Sequence, residues 1–472
     1  MKTTNSISRR DFLRGSSAVA LCLRAAATGL PVSFLMSGAM PAYAVGTAGK
    51  SLILAMSDDG ESINSYAGGT YSSDSNDPRF AIGRPSVAQL GTGVLGQVNG
   101  NNVTASDFSS SAQIKMGSTQ VTAAKFFSYL PQDLLDHLAM FHLRTAANGH
   151  PEGTRVHTVN SVLVSKTGRG TEEIQSALMQ EILLQDPAMP SVLSTPMVLN
   201  SGGGLGTLTS ENVAITRYSP LDVKNLFVGT QPAATVDNMA KLYASTIDTI
   251  YKNVKTNGTA AQLRYLDAHA SSRTQATTLG NQLGGLLTEV TGSSFGDQIK
   301  AAVAMAKVNL APVIVVRHAY SGDNHNDDDL SQETRLTIAQ LNNLVTYWNL
   351  VKAEGLQNSI NFATYDIFGR TLGRNTNGGR DHHNSSCVNM MIGANIKPGV
   401  IGGLEAWSNS GHRLMRATGI NSTTGLSASA DIAGSETLTA YARTLMASVG
   451  IPESRINFRI PAGKTVKGAL LS

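Results

Sequence analysis

The sequence has 472 residues, of which 41% are hydrophobic and 15% are charged, and a chain of this length can build an ordinary buried core. Its formal net charge of +4 equals the net charge of residues 1–44 alone, so the rest of the chain is neutral. This balance argues against a nucleic-acid-binding surface and against a polybasic membrane contact. After residue 44, no apolar run is long enough to predict a membrane-spanning helix.

Residues 1–44 have the features of a twin-arginine export signal. Arg9 and Arg10 lie in the run Ser-Arg-Arg-Asp-Phe-Leu-Arg, a weakly apolar region follows, and an Ala-Tyr-Ala cleavage site closes the segment. Arg24 interrupts the apolar region, which argues against a membrane anchor. We therefore expect the twin-arginine translocase to export the chain, which would be periplasmic or secreted. Cys387 is the one cysteine after this segment, so an internal disulfide is excluded in the mature chain.

The rest of the chain reads as an α/β protein. Apolar runs predict buried strands over residues 51–56, 311–317 and 360–365. Apolar residues at helical spacing predict helices over residues 123–140, 172–185, 331–354 and 437–448, and a mostly helical interval over 236–287. Residues 64–118 are rich in Gly, Ser, Asn and Asp and are predicted to form long loops. The last two strands and the helix between them predict a right-handed, parallel βαβ unit.

Polar residues follow the three predicted strands. Asp59 follows the first strand, Asp323 and His325 follow the second, and Asp381 and His382 follow the glycine-rich segment after the third. The carboxyl ends of parallel strands meet at one edge of a sheet, where ligands usually bind. Asp and His side chains are ligands of divalent metal ions, so we predict a metal site at this edge. The alternative is a solvated glycine-rich loop with incidental charges.

A nucleophile-elbow pattern, Gly-x-Ser-x-Gly, occurs at residues 292–296 with Ser294 at its centre. A nucleophile elbow requires a strand immediately before the serine, and no strong strand is predicted there. We therefore interpret the pattern as a chance match. A serine hydrolase built on Ser294 stays a third alternative to the two functions given below.

Three motifs resemble the twin-arginine-exported domain-of-unknown-function-1501 family in their order and spacing. They are Gly322-Asp323-Asn324-His325, Asp366-Ile-Phe-Gly-Arg370-Thr371 and Asn377-Gly-Gly-Arg-Asp381-His382. The usual family patterns are Asp-Thr-His, Ser-Glu-Phe-Gly-Arg-Thr and Gly-Gly-x-Asp-His, so Asp366 stands where the family usually has Glu. The resemblance covers residues 311–403, and the opening strand with Asp59 is similar to the first motif of that family.

This resemblance implies a relationship to the alkaline phosphatase and sulfatase superfamily. The implied fold is a single alkaline-phosphatase-like α/β domain over residues 45–472, with a mostly parallel sheet flanked by helices. Insertions of loops and helices are expected at about residues 64–118 and 200–300. The metal site is expected at the ends of the strands, as the residues alone also suggest.

The resemblance further implies a role for each candidate residue. Asp59, Asp381 and His382 would hold one divalent metal ion, Asp323 and His325 a second, and His412 is a candidate for a further ligand. The ions would be zinc, calcium, magnesium or manganese. Two such ions can stabilise the attacking and the leaving oxygen in phosphoryl transfer.

The nucleophile and the substrate-binding residues are also implied by the resemblance. Thr145 is the candidate nucleophile, and His150 and Arg370 would bind a small anionic ester. Arg370 could equally form a structural pair with Asp366, and His412 could be a surface histidine. Two hypotheses about function follow. The chain is either a metal-dependent hydrolase of phosphate or sulfate esters, or a non-catalytic binding or assembly protein on the same fold.

Overall fold

A computed structural model describes most of the chain after the predicted export signal. The described residues are 51–57, 60–72, 76–77, 79, 82–145, 147–149, 173–185, 195–200, 208–210, 213–227, 283–317, 323–366, 368–407 and 415–471, with single residues between 246 and 259. The candidate residues Asp59, His150 and His412 lie outside them, as do residues 1–44 and most of the helical interval predicted over 236–287.

A seven-stranded mixed sheet lies at the centre of the molecule. With strands numbered along the chain, its spatial order is β15 (Gly399–Ile401), β6 (Leu138–Leu143), β14 (Cys387–Ile392), β11 (Ile360–Asp366), β1 (Ser51–Ser57), β10 (Val313–Arg317) and β7 (Met197–Leu199). Strand β14 runs antiparallel to β11 and β6, whereas the other neighbouring pairs are parallel. The prediction of a mostly parallel sheet in an α/β protein is confirmed.

The three strands predicted from apolar runs are β1, β10 and β11. Every residue of β1 and β11 is buried. Parallel strands that are covered on both faces have nearly continuous apolar sequences. These three strands could therefore be predicted from the sequence. Strand β1 lies between β10 and β11 and pairs with both, so the predicted βαβ unit crosses over one strand. Their carboxyl ends consequently meet at one edge of the sheet.

Helices pack against this sheet. The α-helices are α1 (Val87–Leu90), α2 (Ala105–Ser109), α3 (Gln132–Leu135), α4 (Ile174–Gln185), α5 (Pro220–Phe227), α6 (Phe295–Lys307), α7 (Ser331–Ala353), α8 (Thr437–Ser448) and α9 (Glu453–Arg459). Short 3-10 helices span Ile63–Ser65, Lys125–Tyr129, Gly434–Glu436 and Lys467–Ala469. Helix α6 packs against β10 and α7, and α8 packs against β6. The helices predicted over 172–185, 331–354 and 437–448 are confirmed as α4, α7 and α8. Among the described residues, no helix has both the length and the apolar character needed to cross a membrane.

The helix predicted over residues 123–140 is wrong. This interval contains the end of a strand, the 3-10 helix Lys125–Tyr129, helix α3 and the start of β6. Its apolar residues are buried, among them Phe126 and Leu134. The apolar pattern therefore indicated which residues are buried but did not indicate the correct secondary structure. Pro131 lies in the middle of the interval, where it lacks the N–H that a continuous helix requires.

The interval 64–118, predicted as long loops, contains regular structure. A hairpin joins β2 (Val94–Val98) to β3 (Asn101–Thr104), and β4 (Ser111–Met116) pairs with β5 (Thr119–Ala124). Asn99 and Gly100 both have positive φ at the first turn, as an Asn-Gly hairpin turn requires. The other strands form two-stranded antiparallel ladders: β8 (Thr209–Ser210) with β9 (Val213–Ala214), β12 (Gly369–Arg370) with β13 (His382–His383), and β16 (Leu404–Ala406) with β17 (Met415–Ala417).

Candidate metal site

The candidate metal site lies where the chain continues beyond the carboxyl ends of β10 and β11. The short ladder between β12 and β13 places Arg370 opposite His382. Glu61 extends the chain from β1 and joins this ladder, since its N–H donates to the Phe368 carbonyl and its own carbonyl accepts from the Arg370 N–H. The ends of β1 and β11 and the segment 369–383 are thus tied together by backbone hydrogen bonds.

Asp323, His325 and His382 form a triad that could hold a metal ion. Each offers one ligand atom, and these three atoms all lie within 4.8 Å of one another. Two imidazoles and one carboxylate are a ligand set that zinc takes in proteins, with a further position left for a water or a substrate. The residues present therefore fit a divalent metal ion. The triad combines members of the two ligand sets that the family resemblance implied.

His325 is held at both of its ring nitrogens. Its Nδ1 lies 3.0 Å from Asp381 Oδ1, and its Nε2 lies 3.4 Å from Asp323 Oδ1 and 3.4 Å from Arg370 Nη1. The side-chain amide of Asn375 donates to the same Asp381 oxygen over 3.0 Å and to the His325 carbonyl over 3.0 Å. A carboxylate behind a metal-binding histidine fixes its tautomer and raises its basicity. Asp381, predicted as a ligand, thus contacts a ligand residue directly.

His382 is oriented by a backbone carbonyl and by aromatic contacts. Its Nδ1 donates to the Asn148 carbonyl over 2.7 Å, which leaves Nε2 without a proton in the neutral ring, the form that binds metal. The ring centroid lies 4.8 Å from that of His325 and 4.4 Å from that of Phe368. No sequence pattern predicts the contact with Asn148, because 234 residues separate the two positions.

Arg370 provides a buried positive charge beside the triad. Its side chain is completely buried, and its Nη2 lies 3.8 Å from Asp323 Oδ1. The guanidinium carbon lies 5.3 Å from the centre of the Phe368 ring. A Cβ atom at Gly60 would clash with the Phe368 ring and with Arg370 Nε, so glycine is required at this position. The residue after Asp59 therefore borders the site.

Two buried carboxyl groups, Glu61 and Asp366, lie near each other beyond the carboxyl end of β1 and at that of β11. Glu61 accepts hydrogen bonds from the N–H groups of Val388 and Asn64 over 2.7 and 3.0 Å. Burial, together with the charge of Asp366, raises the pKa of Glu61 well above its usual value. Burial and the same two acids raise the pKa of the Cys387 thiol, so this cysteine stays protonated. Glu61 could not be predicted as a buried residue, because its neighbours in the sequence are those of an ordinary polar surface segment.

Thr145, the candidate nucleophile, follows the carboxyl end of β6. Its N–H donates to the Asn384 carbonyl over 2.9 Å, which places its segment beside the one that carries His382. Its hydroxyl is buried and has no hydrogen-bond partner among the described residues. A hydroxyl nucleophile needs a base or a metal ion to activate it. No base contacts Thr145 Oγ1 in the part of the chain that the structure describes.

Ser294 has a structural role. It is the N-cap of α6, where its Oγ accepts from the Asp297 N–H over 3.1 Å and its own N–H donates to the Asp297 carboxylate over 3.3 Å. This reciprocal arrangement is a capping box, which satisfies N–H groups at the start of a helix. The interpretation of the Gly-x-Ser-x-Gly pattern as a chance match is consistent with this role.

The fold and the triad define an α/β protein with a candidate metal site of two histidines and one aspartate at the edge of a mixed sheet. A family model described as "Protein of unknown function (DUF1501)" matches residues 237–413, an interval that contains the triad, Arg370 and Asp381. The family resemblance predicted from the three motifs is confirmed over this interval. A search of curated proteins and a search of solved structures found no match. The relationship to alkaline phosphatases and sulfatases stays a prediction.

Proposed function

We propose that this chain binds a divalent metal ion through Asp323, His325 and His382 and hydrolyses phosphate or sulfate esters after export. The observation that supports the proposal is the convergence of three ligand atoms within 4.8 Å beside a completely buried arginine. Clusters of titratable and ligating side chains next to a fixed charge are typical of functional sites.

Zinc is the metal that suits this ligand set best. Calcium and magnesium prefer oxygen ligands, whereas two imidazoles favour zinc or another transition metal. A bound ion would polarise an ester oxygen as a Lewis acid. The chain would supply the orientation of the ligands, with Asp381 and Asn375 holding His325 and the Asn148 carbonyl holding His382.

The substrate class follows from Arg370. A guanidinium offers parallel N–H donors that match the oxygens of a phosphate or sulfate group. Arg370 already points at the carboxylate of Asp323, with 3.8 Å between Nη2 and Oδ1, so its charge is directed to the triad. Burial of its side chain keeps this charge in place. An anionic ester is therefore the ligand that complements the site.

A second candidate is a metal-dependent binding or assembly protein without catalytic activity. The buried hydroxyl of Thr145 favours it, since no described residue is placed to accept the proton of that hydroxyl. In that case the triad would organise a binding surface for an anionic ligand. The two candidates share the metal and differ in whether an ester bond is broken.

Turnover of two generic substrates separates the candidates. The purified mature protein, loaded with zinc, is assayed with 4-nitrophenyl phosphate and 4-nitrophenyl sulfate, before and after treatment with a chelator. Hydrolysis of either ester that is lost with the metal and restored by zinc supports the hydrolase. Zinc binding without hydrolysis of either ester supports the binding protein. Thr145→Ala should abolish turnover while leaving zinc binding unchanged if Thr145 is the nucleophile.

A further inference from the structure

Glu333 is a buried carboxylate in the first turn of α7, in contact with the two segments that carry the triad. Its side chain is fully buried, and none of the sequence motifs includes it. The carboxylate accepts hydrogen bonds from Asn324, Arg380 and the Tyr66 hydroxyl. Each of the first two residues is a chain neighbour of a residue at the metal site.

The first contact fixes the segment of Asp323 and His325. Asn324 lies between these two residues, its side chain is buried, and its Nδ2 donates to Glu333 Oε2 over 2.7 Å. A residue anchored inward in this way constrains the backbone on both sides of it. The side chains of Asp323 and His325 are therefore presented together at the more exposed surface of the loop.

The second contact fixes the segment of Asp381 and His382. Arg380 is completely buried, and its Nε donates to both oxygens of Glu333 over 3.0 and 2.8 Å. The same guanidinium donates to the carbonyls of Thr371 and Leu372 over 3.0 and 2.6 Å. This arginine thereby holds the β12–β13 segment to α7 immediately before the residues of the site.

The two segments also contact each other directly. The Arg380 N–H donates to the Asn324 carbonyl over 3.2 Å. A Cβ atom at Gly379 would overlap the carbonyl oxygens of Asn324 and His325, so only glycine permits this approach of the two backbones. The adjacent glycines of the third motif thus have a packing role that complements the contacts of Glu333.

The start of α7 holds Glu333 in place. Asp327 accepts hydrogen bonds from the N–H groups of Gln332 and Glu333 over 3.1 and 2.9 Å, and the positive dipole end of the helix favours a carboxylate there. Burial raises the pKa of Tyr66, and so does the charge of Glu333, so the Tyr66 hydroxyl remains a donor to the carboxylate. Both oxygens of the Glu333 carboxylate therefore accept hydrogen bonds, Oε1 from Tyr66 and Arg380 and Oε2 from Asn324 and Arg380.

We infer that Glu333 is a positioning residue that holds the Asp323–His325 segment and the Asp381–His382 segment at the separation that metal binding requires. This inference rests on the metal site of the proposed function. A buried ion pair adds little net stability, because apolar residues of similar shape often make the folded protein equally stable. The carboxylate of Glu333 contacts both ligand-bearing segments, and this gives the buried ion pair a specific role in holding them.

The test compares two buried glutamates that both bind arginine. Glu333→Gln is compared with Glu181→Gln, since Glu181 is also fully buried and pairs with Arg455 and Arg459 in a different part of the fold, on α4. Zinc affinity is measured by titration calorimetry with zinc chloride, and the stability of the metal-free proteins by urea unfolding. Both variants should lose stability. Zinc affinity should fall about 10- to 100-fold for Glu333→Gln, as for other residues behind metal ligands, and should not change for Glu181→Gln.

The outcomes separate this inference from the proposed function. Wild-type protein that binds no zinc overturns the metal site and the role of Glu333 with it. Wild-type protein that binds zinc, together with a Glu333→Gln variant of unchanged affinity, overturns the positioning role alone. If Glu333→Gln fails to fold, Asn324→Ala removes one of the two links and should weaken zinc binding several-fold; an unchanged affinity for this variant contradicts the inference.

Discussion

The Nδ1 atom of His325 lies 3.0 Å from Oδ1 of Asp381, although 56 residues separate the two positions in the sequence. This contact joins the second predicted strand end to the glycine-rich motif. It also assigns the two residues different positions at the site, with His325 in the triad and Asp381 behind its ring.

Removal of Asp381 should weaken metal binding without removing a triad member. Asp381→Ala takes away the acceptor that orients His325, and the affinity for zinc should fall about 10- to 100-fold. The increase in melting temperature that zinc gives to the wild-type protein should shrink accordingly, since a ligand of the folded state stabilises it. Asp328→Ala removes an exposed acid of the neighbouring loop and serves as the control. An equal loss of zinc affinity in the two variants would mean that Asp381 contributes only its negative charge and not its contact with His325.

A methyl group at Gly379 should force the two ligand-bearing segments apart. Gly379→Ala would overlap the carbonyl oxygens of Asn324 and His325, and overpacking of this kind costs about 1–3 kcal/mol. Urea unfolding of the metal-free protein measures the loss. Gly284→Ala is the matched control, since residues 283–288 are helical, a Cβ at Gly284 meets no atom within 4 Å, and alanine has a high helix propensity. A Gly379→Ala protein as stable as the control would contradict the close backbone approach.

Acid should destabilise the fold through His142, a fully buried residue of β6. Burial lowers the pKa of His142 from 6.5 to about 4, and its Nε2 donates to the Gly68 carbonyl over 2.8 Å. Above pH 6.5 the ring is neutral in the folded and the unfolded chain. As the pH is lowered from 6.5 to 4, only the unfolded chain gains the proton. The free energy of unfolding therefore falls by up to about 3 kcal/mol over this range.

The substitution His142→Gln removes this proton uptake while it retains an N–H donor near the Gly68 carbonyl. Its unfolding free energy should therefore depend less on pH between 6.5 and 4 than that of the wild-type protein. Urea unfolding at several pH values in this range measures the slope for both proteins. Identical slopes would show that His142 is not a source of the acid sensitivity.

Export should depend on the two adjacent arginines near the start of the chain. Replacing Arg9 and Arg10 by lysine should leave the precursor inside the cell with residues 1–44 uncleaved. Fractionation followed by mass determination of the chain measures both effects. A variant with Lys2 changed to Ala, which leaves the arginine pair intact, is the control. Normal export and cleavage of the double variant would contradict the interpretation of this segment.

The sequence was informative wherever one local property decides the structure. Strands β1, β10 and β11 are buried over almost their whole length, and burial makes the sequence of each largely apolar. Helix α7 has a long apolar stripe and ends before Gly355, which has a positive φ. The polar residues after these strands could be predicted to meet, because the carboxyl ends of parallel strands lie on one edge.

The grouping of the site residues depended on contacts that no local pattern encodes. The β12–β13 ladder pairs His382 with Arg370, whose guanidinium contacts His325, and Glu61 extends this ladder through backbone hydrogen bonds to Phe368 and Arg370. Glu333 lies outside all three motifs, although its carboxylate contacts both ligand-bearing segments. The helix predicted over 123–140 is wrong for a local reason, since Pro131 interrupts the interval and the apolar spacing around it reflects burial.

The most direct test of this account is the zinc content of the triad variants. Wild-type protein, His325→Ala and His382→Ala are purified, stripped with a chelator, dialysed against zinc and measured by elemental analysis, with His137→Ala as a control at a histidine that contacts Trp348 instead. The triad predicts that the wild-type protein and the control retain stoichiometric zinc and that each triad variant loses it. Equal zinc in all four proteins, or none in the wild-type protein, would contradict a metal site formed by Asp323, His325 and His382.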